Sequence, residues 1–431
     1  MNTISSANVI PHLTTALSGP MHCVEKHLQD HLPEIEAWFR DQWRNIREPF
    51  YTSVDIRNAG YKIAPVDTNL FPAGFNNLNP AFQALSIQAV QVTIERMQQR
   101  INRILIIPEN HTRNLFYLDS LAVLKETVEK AGFDVKLGSL LTDLPEESRN
   151  LKSNSGVELH LEPVVRAGNR IGVTDFDPDL ILLNNDLSSG RPQILENIEQ
   201  IILPPLHVGW SSRLKSMHFA HYKSVAADFA RHIDLDPWLI DPMFRNCGEI
   251  DFMKREGETC LSSNVEVLLE SIQKKYDEYN IKCQPFVMVK ADAGTYGMGI
   301  MTVKSVDEVR DLNRKQRTRM STVKEGQKVS KVLIQEGVYT HETWGEENNV
   351  AEPVVYLIGH SVVGGFYRVH SNKSANENLN SPGMRFEPLA FDECCISPER
   401  DMAPDAHPNR FYTYGVVARL AMLAAAQEIN S

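Results

Sequence analysis

Residues 286–303, FVMVKADAGTYGMGIMTV, constrain the fold of this chain more than any other segment. An apolar run ends on Lys290, a glycine-rich turn follows at once, and a second apolar run starts at Ile300. Glycines let backbone N–H groups approach phosphate oxygens because no Cβ stands in the way. The segment therefore predicts a strand–turn–strand unit that binds phosphate. A tight hairpin with a solvated lysine is the alternative that fits the same sequence.

Two common phosphate loops do not fit this segment. A Walker A loop has its lysine after the glycines and continues into a helix, whereas here the lysine comes first and a strand follows. A dinucleotide fingerprint opens a helix, and GTYGMG opens none. What remains is a loop that folds over a triphosphate. We therefore predict ATP as a ligand, bound by Lys290, Gly294, Tyr296, Gly297 and Gly299.

Three further segments carry groups typical of a nucleotide site. Residues 211–222 place Lys215 at the start of a predicted helix, where the positive end of the helix favours anions. Residues 331–338, KVLIQEGV, form a strand whose end can offer groups to adenine, although an edge strand entering a turn has the same pattern. Residues 366–386 combine arginine with many asparagines. The predicted nucleotide and catalytic residues here are Lys215, Gln335, Glu336, Val338 and Arg368.

Oxygen-bearing side chains near Arg368 indicate a magnesium site. Mg²⁺ takes oxygen ligands and bridges ATP phosphates. Glu377 with Asn378 or Asn380 forms one predicted ligand set, and Glu352 on the preceding strand is another candidate. An ordinary surface role for each carboxylate stays open at this point.

The first half of the chain has the pattern of an open α/β domain. Short apolar runs at 104–108, 133–140 and 180–184 alternate with helical segments such as 115–130. This alternation predicts a mostly parallel sheet covered on both faces, with ligands near the carboxyl ends of its strands. After residue 285, strands joined by loops predict an antiparallel α+β domain. The predicted domains are 1–203, 204–280 and 281–431.

Residues 55–80 are dense in Asn, Pro and Gly, so we predict that they are irregular. Long ordered loops in compact domains tend to carry function. A site for an amino-acid substrate needs an arginine together with acidic or amide partners. The predicted substrate-binding residues are Arg57, Asp67, Asn69, Asn76, Asn77 and Arg113, with a simple Asx turn as the alternative for Asp67 and Asn69.

The bulk properties exclude several classes of protein. The net charge of −11 over 431 residues argues against a general nucleic-acid or membrane-surface binder, which needs basic patches. No apolar run approaches the ~20 residues that span a bilayer, and the N-terminus lacks the pattern of a secretory signal. We therefore expect a cytoplasmic protein. The six cysteines form no CxxC pair, so no zinc knuckle is indicated, and Cys394 and Cys395 are expected to be free thiols.

The order of these motifs resembles the ATP-grasp superfamily, glutathione synthetase in particular. More closely, the whole chain resembles the proteobacterial glutamate–cysteine ligases of the ATP-grasp type, and not the larger glutamate–cysteine ligases with a glutamine-synthetase-like fold. The resemblance runs from about residue 50 to residue 420. It is carried by VDTNLFPAGFNNL, PENHTRN, LLNNDLS, GWSSRLKSMHF, VKADAGTYGMGIMTV, LIQEGVYT, GGFYRVH, ANENLNSPGMRFEPL and PNRFYTYGVVARLA.

The resemblance implies a Rossmann-like pre-ATP-grasp domain followed by an ATP-grasp domain. It also implies that L-glutamate, L-cysteine and ATP give γ-glutamylcysteine, ADP and phosphate through an acyl phosphate. Mg²⁺ with Lys215, Lys290 and Arg368 would neutralise the phosphoryl charge. Another ATP-grasp carboxylate–amine ligase and a non-catalytic nucleotide-binding protein are the alternatives, and assembly into a homo-oligomer stays open.

Overall fold

The protein is a mixed α/β structure with three larger β-sheets and a two-stranded ribbon in the part of the chain that the structure describes. The computed structural model describes residues 22–110, 113–141, 149–294, 299–321, 328–388 and 411–430. The α-helices within these ranges are α1 (Cys23–Asp30), α2 (Leu32–Trp43), α3 (Gln83–Glu95), α4 (Leu115–Lys130), α5 (Lys215–His232), α6 (Glu258–Glu278), α7 (Val306–Arg310), α8 (Arg314–Met320) and α9 (Phe411–Asn430).

The strands follow the same order along the chain. Those of the first half are β1 (Tyr51–Asn58), β2 (Ile63–Asn69), β3 (Arg103–Pro108), β4 (Asp134–Ser139), β5 (Asn150–Lys152), β6 (Glu158–Pro163), β7 (Val165–Ala167), β8 (Arg170–Gly172), β9 (Leu180–Asn184) and β10 (Ile201–Leu203). Those of the second half are β11 (Phe244–Cys247), β12 (Val287–Ala291), β13 (Ile300–Val303), β14 (Val332–Glu336), β15 (Thr343–Trp344), β16 (Asn349–Ile358), β17 (Ser361–His370) and β18 (Arg385–Pro388).

The parallel sheet has the strand order β10-β9-β3-β4-β6-β5, and only β5 runs antiparallel to its neighbour. Side chains of β3 alternate between two apolar clusters. Ile104 and Ile106 pack in the cluster that includes α3 and α4, whereas Leu105 and Ile107 pack in the cluster on the other face. A parallel sheet buried on both faces requires this continuous apolar run, so the predicted sheet is confirmed.

The prediction that residues 55–80 are irregular was wrong for their first part. β1 and β2 cover most of it, and they pair with each other in antiparallel fashion. In β1, Val54 and Ile56 enter the apolar core while Asp55 and Arg57 face a cleft, so the polar residues belong to a strand with two different faces. Pro65 is tolerated because β2 lies at the edge of its sheet, where one side of the strand needs no partner.

The second sheet joins strands that are far apart in sequence. Its order is β18-β17-β16-β1-β2, with β15 added beside β16, and its pairs are antiparallel. Residues of the predicted domains 1–203 and 281–431 therefore share one sheet. The division of the chain at 203 and 280 stays a prediction.

The third sheet, β11-β14-β12-β13, faces a cleft with one side and α6 with the other. On β12 the side chains of Val287, Val289 and Ala291 pack in the cluster with α6, so Met288 and Lys290 must point the opposite way. The strand period thus directs Lys290 into the cleft. The antiparallel arrangement predicted after residue 285 is confirmed.

Helices α5 and α9 lie together in the largest apolar cluster. The alanines of α9 allow close packing, and the first sixteen residues of this twenty-residue helix are buried. In the described part of the chain, no helix combines the length and apolar character needed to cross a bilayer.

Gly337→Ala tests the packing at the end of β14. An added Cβ at this position would lie 2.1 Å from the ring of Phe286, whose side chain is fully buried. We expect the free energy of unfolding to fall by about 1–3 kcal/mol, because the ring or the strand must shift. Urea denaturation measures this change.

Gly248→Ala is the matched control for that measurement. No atom lies within 4 Å of its added Cβ, so we expect a change within about 0.5 kcal/mol. Equal effects of the two substitutions would contradict the packing argument.

Candidate active site

A polar cleft lies between the four-stranded sheet and the sheet that contains β1, β2 and β16. Most of its lining was predicted from the sequence, although Asp55, Val66, Met288 and Ile300 were not. The residues that line it are Asp55, Arg57, Val66, Asp67, Met288, Lys290, Ile300, Gln335, Glu336, Val338, Glu352, Asn378 and Asn380.

Two lysines from different elements meet adjacent residues of β2. Lys215 Nζ lies 3.0 Å and 3.2 Å from the two carboxylate oxygens of Asp67. Lys290 Nζ donates to the carbonyl oxygen of Val66 at 2.8 Å and to Oε1 of Gln335 at 2.7 Å. Both ammonium groups are buried, and together with Asp67 they form the cationic centre of the cleft.

Asp292 connects the end of β12 to the start of α5. Its carboxylate accepts hydrogen bonds from the backbone N–H and the hydroxyl of Ser216, at 2.8 Å and 2.7 Å. Its backbone carbonyl accepts from the N–H of Lys215 at 2.8 Å. A carboxylate that caps a helix N-terminus satisfies orphan donors and complements the helix dipole. Asp292 therefore fixes the distance between the elements that carry Lys215 and Lys290.

The electrostatics of the lysines follow from burial. Burial, together with the charges of Lys215 and Arg57, lowers the pKa of Lys290 to about 8, although Asp67 acts in the opposite direction. For Asp67, burial acts to raise the pKa, but Lys215 and Lys290 outweigh it and hold the pKa below its usual value. Two ammonium groups thus lie near the single Asp67 carboxylate, and an anionic ligand at this place would pair with the positive charge that Asp67 leaves uncompensated.

A buried network of two arginines and two carboxylates forms the other wall. Arg57 Nε donates to Oε2 of Glu352 at 2.9 Å, and Arg368 Nη1 donates to Oε1 of the same carboxylate at 2.6 Å. Arg368 also bonds Asp55 at 2.8 Å. Burial acts to raise the pKa of Glu352, yet the two arginines hold it below its usual value. Burial raises the pKa of Asp55 because its single arginine partner compensates less.

Glu336 is held by structural contacts. Its carboxylate accepts from Lys62 Nζ at 2.8 Å, from Trp238 Nε1 at 3.0 Å and from the N–H of Met243 at 2.9 Å. The backbone N–H groups of Glu336 and Gly337 donate to carbonyl oxygens of neighbouring strands. Those two N–H groups are therefore not open to an adenine ring, and a nucleotide contact by Gln335, Glu336 or Val338 stays a prediction.

The loop at 371–384 closes the cleft beside Arg57. Arg57 reaches it through the backbone carbonyl oxygens of Ala375 and Glu377. The Glu377 side chain accepts from Lys373 Nζ at 3.0 Å and from the N–H of Ser374 at 2.9 Å, which lowers its pKa to about 2 although burial acts in the opposite direction. Asn378 and Asn380 bond each other in a turn and line the cleft.

The carboxylate and amide oxygens of the cleft are the type of ligand that Mg²⁺ prefers. Mg²⁺ is usually held by one or two carboxylates together with substrate phosphates and water. Asp55 and Glu352 share Arg368, and the amides of Asn378 and Asn380 lie in the same lining. Among the described residues, no group of three or more His, Cys, Asp or Glu side chains is arranged to hold a metal by itself. The set therefore fits an ion held largely by phosphate oxygens.

Four predicted substrate residues lie outside the lining of the cleft. Asn69 caps a turn by accepting from the N–H of Phe71 at 3.0 Å, which matches the Asx-turn alternative. Asn76 and Asn77 bond each other, and Arg113 is exposed before α4. Their substrate roles stay predictions.

In the glycine-rich turn, Gly294 and Gly299 have positive φ angles of 104° and 62°. Outside the described residues lie Tyr296, Gly297, Cys394 and Cys395.

Besides the lining residues Val66, Met288 and Ile300, sequence reasoning missed Asp55, Asp292 and Trp210. Asp55 was read as part of a loop, and the alternation of Val54, Asp55, Ile56 and Arg57 was the signal for a strand with one polar face. Asp292 carried no signal, because its partner on α5 is 76 residues away. Trp210 places its ring 4.0 Å from Lys215 Nζ, a cation–π contact that becomes visible only in three dimensions.

Comparison with known proteins identifies the family of this chain. The family model for glutamate–cysteine ligase, GshA, matches residues 25–429. The chain belongs to the glutamate–cysteine ligase family. It is therefore an enzyme that ligates glutamate to cysteine, which confirms the family and the enzyme class predicted from the sequence.

The solved structures add a close relative of this glutamate–cysteine ligase. A crystal structure from Methylobacillus flagellatus KT, of a protein assigned as a γ-glutamylcysteine synthetase, shares 56% sequence identity with a TM-score of 0.88. The match covers 98% of this chain and 99% of that one. D-alanyl-alanine synthetase A from Vibrio cholerae O1 biovar eltor str. N16961 has 10% identity and a TM-score of 0.29 over 67% of this chain and 74% of its own, a similarity that carries no argument. The comparison with curated proteins gave no match.

Glu352→Ala tests the arginine network. The substitution leaves Arg57 and Arg368 buried with one carboxylate fewer between them. We expect the free energy of unfolding to fall by about 3–5 kcal/mol, because removing one partner of a buried pair leaves uncompensated charge. Chemical denaturation gives the value.

The control is Glu129→Ala, which removes a surface pair with Lys125 whose carboxylate is 41% exposed. We expect a change below about 1 kcal/mol, since solvent screens exposed pairs. A Glu352→Ala protein as stable as this control would show that the network contributes no stability.

Proposed function

We propose that this ligase joins the γ-carboxylate of L-glutamate to the amine of L-cysteine at the expense of ATP, through γ-glutamyl phosphate. The products are γ-glutamylcysteine, ADP and phosphate, and the reaction is the first step of glutathione biosynthesis. The single observation that supports it best is the meeting of Lys215 and Lys290 at Val66 and Asp67, in a cleft between two antiparallel sheets.

We propose that the cleft is that of an ATP-grasp fold. In this arrangement the triphosphate lies between the two sheets, next to one cation from a strand and one from a helix. Lys290 comes from the four-stranded sheet and Lys215 from the start of α5, where the helix dipole adds positive potential. The excess positive charge around Asp67 supports an anionic ligand at this place.

The reaction requires the protein to position the substrates and to neutralise charge on the phosphoryl group. An oxygen of the γ-carboxylate attacks the γ-phosphorus and ADP leaves; the cysteine amine then attacks the acyl carbon, and phosphate leaves as the amine loses its proton. Lys215 and Lys290 neutralise charge on the phosphoryl oxygens, and Arg368, held by Asp55 and Glu352, presents a fixed guanidinium. The cleft between the sheets keeps water from the acyl phosphate.

A magnesium ion would be held by Glu352 and Asp55 with the amide oxygens of Asn378 and Asn380. Glu377, whose carboxylate bonds Lys373 and Ser374, stays an untested prediction as a ligand. When bound it supplies charge neutralisation at the phosphate oxygens. Arg57 holds Glu352 and the loop at 371–384 in place, so it orients these donors. The substrate residues Asp67, Asn69, Asn76, Asn77 and Arg113 stay proposals for the glutamate and cysteine sites.

Product analysis tests the substrates. With ATP, Mg²⁺, glutamate and cysteine, we expect phosphate release that requires both amino acids and a product with the mass of a glutamyl–cysteine dipeptide. Chromatography against the α-linked and γ-linked dipeptides identifies the bond. Phosphate release that does not depend on cysteine, or a product with another amine, would indicate a different carboxylate–amine ligase.

Lysine substitutions test the nucleotide site. Lys290→Ala and Lys215→Ala should each lower kcat/KM for ATP by about 100-fold or more, because one preorganised cation is lost from the phosphoryl oxygens. Lys304→Ala is the matched control, since this exposed lysine follows β13 of the same sheet and should leave kcat/KM unchanged. Full activity of Lys290→Ala would remove Lys290 from the site.

The pH dependence of ATP binding tests the charge of Lys290. With a pKa of about 8, Lys290 is cationic below that pH and loses its proton above it. We expect ATP affinity, measured by calorimetry without cysteine, to fall between about pH 8 and 9.5 as binding requires uptake of a proton. Lys290→Met removes this titration and should give a flat profile in the same window. A flat profile in the unchanged protein would contradict the argument.

A further inference from the structure

Glu428, near the end of α9, forms a buried ion pair behind the lysines. Its two carboxylate oxygens accept from Nε and Nη2 of Arg213 at 2.8 Å and 2.9 Å, and one of them lies 3.3 Å from His218 Nδ1. The side chain of Arg213 is 1% exposed and that of Glu428 is 9% exposed. A two-pronged arginine–carboxylate pair of this kind fixes direction as well as charge.

Arg213 extends from this pair to the cleft. Its Nη1 donates to the carbonyl oxygen of Thr68 at 2.6 Å, which is the residue after Asp67. The indole of Trp210 has the Arg213 guanidinium 4.8 Å and the Lys215 ammonium 4.0 Å from its ring centroid. Glu428 therefore reaches the Lys215–Asp67 pair through one intervening side chain.

The charges alternate along the series Glu428, Arg213, Asp67 and Lys215. Arg213 and His218 hold the pKa of Glu428 well below its usual value against the opposing effect of burial, so Glu428 is an anion. Burial lowers the pKa of His218, so this ring is neutral at neutral pH and Glu428 is the counter-charge of Arg213. Arg213 also acts on the next anion, Asp67, whose pKa it helps to lower.

We propose that Glu428 is a positioning residue for the ligation. It holds Arg213 beside Trp210 through the two-pronged ion pair, which leaves Asp67 to Lys215. Without the carboxylate charge, Arg213 is a buried cation that already bonds the neighbour of Asp67 and acts on the Asp67 charge, and it competes with Lys215 there. The ammonium of Lys215 then leaves the place where it meets phosphate. This inference rests on the proposed function, which assigns Lys215 to the phosphate oxygens.

The test compares two isosteric substitutions in the full chain. Glu428→Gln removes the charge at the cleft end of α9. Glu36→Gln removes the charge of a similar pair, because Glu36 accepts from Arg419 of α9 at 2.7 Å and 3.0 Å and from Tyr412 at 2.9 Å. Three readouts are taken for each protein: ATP affinity by calorimetry with Mg²⁺, kcat and KM for ATP, and the midpoint of thermal unfolding.

Both substitutions should lower the unfolding midpoint, and only Glu428→Gln should change the nucleotide site. We expect Glu428→Gln to weaken ATP affinity and raise KM for ATP by about tenfold or more. Glu36→Gln should leave both within about twofold of the unchanged protein. ATP affinity and KM that are equal in the two variants would reduce Glu428 to a structural role and overturn the proposal.

A second variant keeps the proposal testable if Glu428→Gln does not fold. Arg213→Lys retains the charge but loses the two-pronged bond, since lysine has no planar fork. We expect the same rise in KM for ATP, and a folded Arg213→Lys protein with unchanged ATP affinity would overturn the proposal. If the protein without substitutions forms no dipeptide, that result refutes the proposed function and this inference together. If the protein without substitutions forms the dipeptide and Glu428→Gln has an unaltered KM for ATP, the result refutes this inference alone.

Discussion

The capping of α5 by Asp292 is the interaction on which the geometry of the cleft depends. Lys290 belongs to a strand and Lys215 to a helix, and the two lysines are 75 positions apart in the sequence. The Asp292 carboxylate binds the helix start through Ser216, while its own backbone continues β12. Because the residue that directly follows β12 is hydrogen-bonded to the first turn of α5, the two ammonium groups keep a fixed separation. The cation–π contact with Trp210 and the pairing with Asp67 then determine their direction.

Much of the architecture was predictable because its signals are local. The helix at Leu115–Lys130 and the strand at Leu180–Asn184 have the predicted bounds, since apolar period and length determine both elements. β1 was missed because its polar residues are explained only by partners on β16 and β17, some 300 positions later. A strand whose polar face lies in a cleft has the composition of a loop until that cleft is known.

The same distinction applies to the active site. Lys215, Lys290 and Arg368 were predictable because each stands in a segment with its own pattern, a helix start, a glycine-rich turn or an arginine among asparagines. What the sequence could not provide was the pairing between them. That Glu352 lies between two arginines follows from the register of β16 with β1 and β17, and register is a property of the assembled sheet. The metal ligands are subject to the same limit.

The sheet that joins β1 and β2 to β16 and β17 has a consequence for how the chain is made. β1 pairs with β16, so residues near position 55 must wait until residues near position 354 have left the ribosome. At about 5–20 residues per second, that interval is some tens of seconds, during which β1 can pair only with β2. The parallel sheet between them has its own apolar faces and can form meanwhile. The cleft is thus a property of the completed chain, since one of its walls joins strands from early and late parts of the sequence.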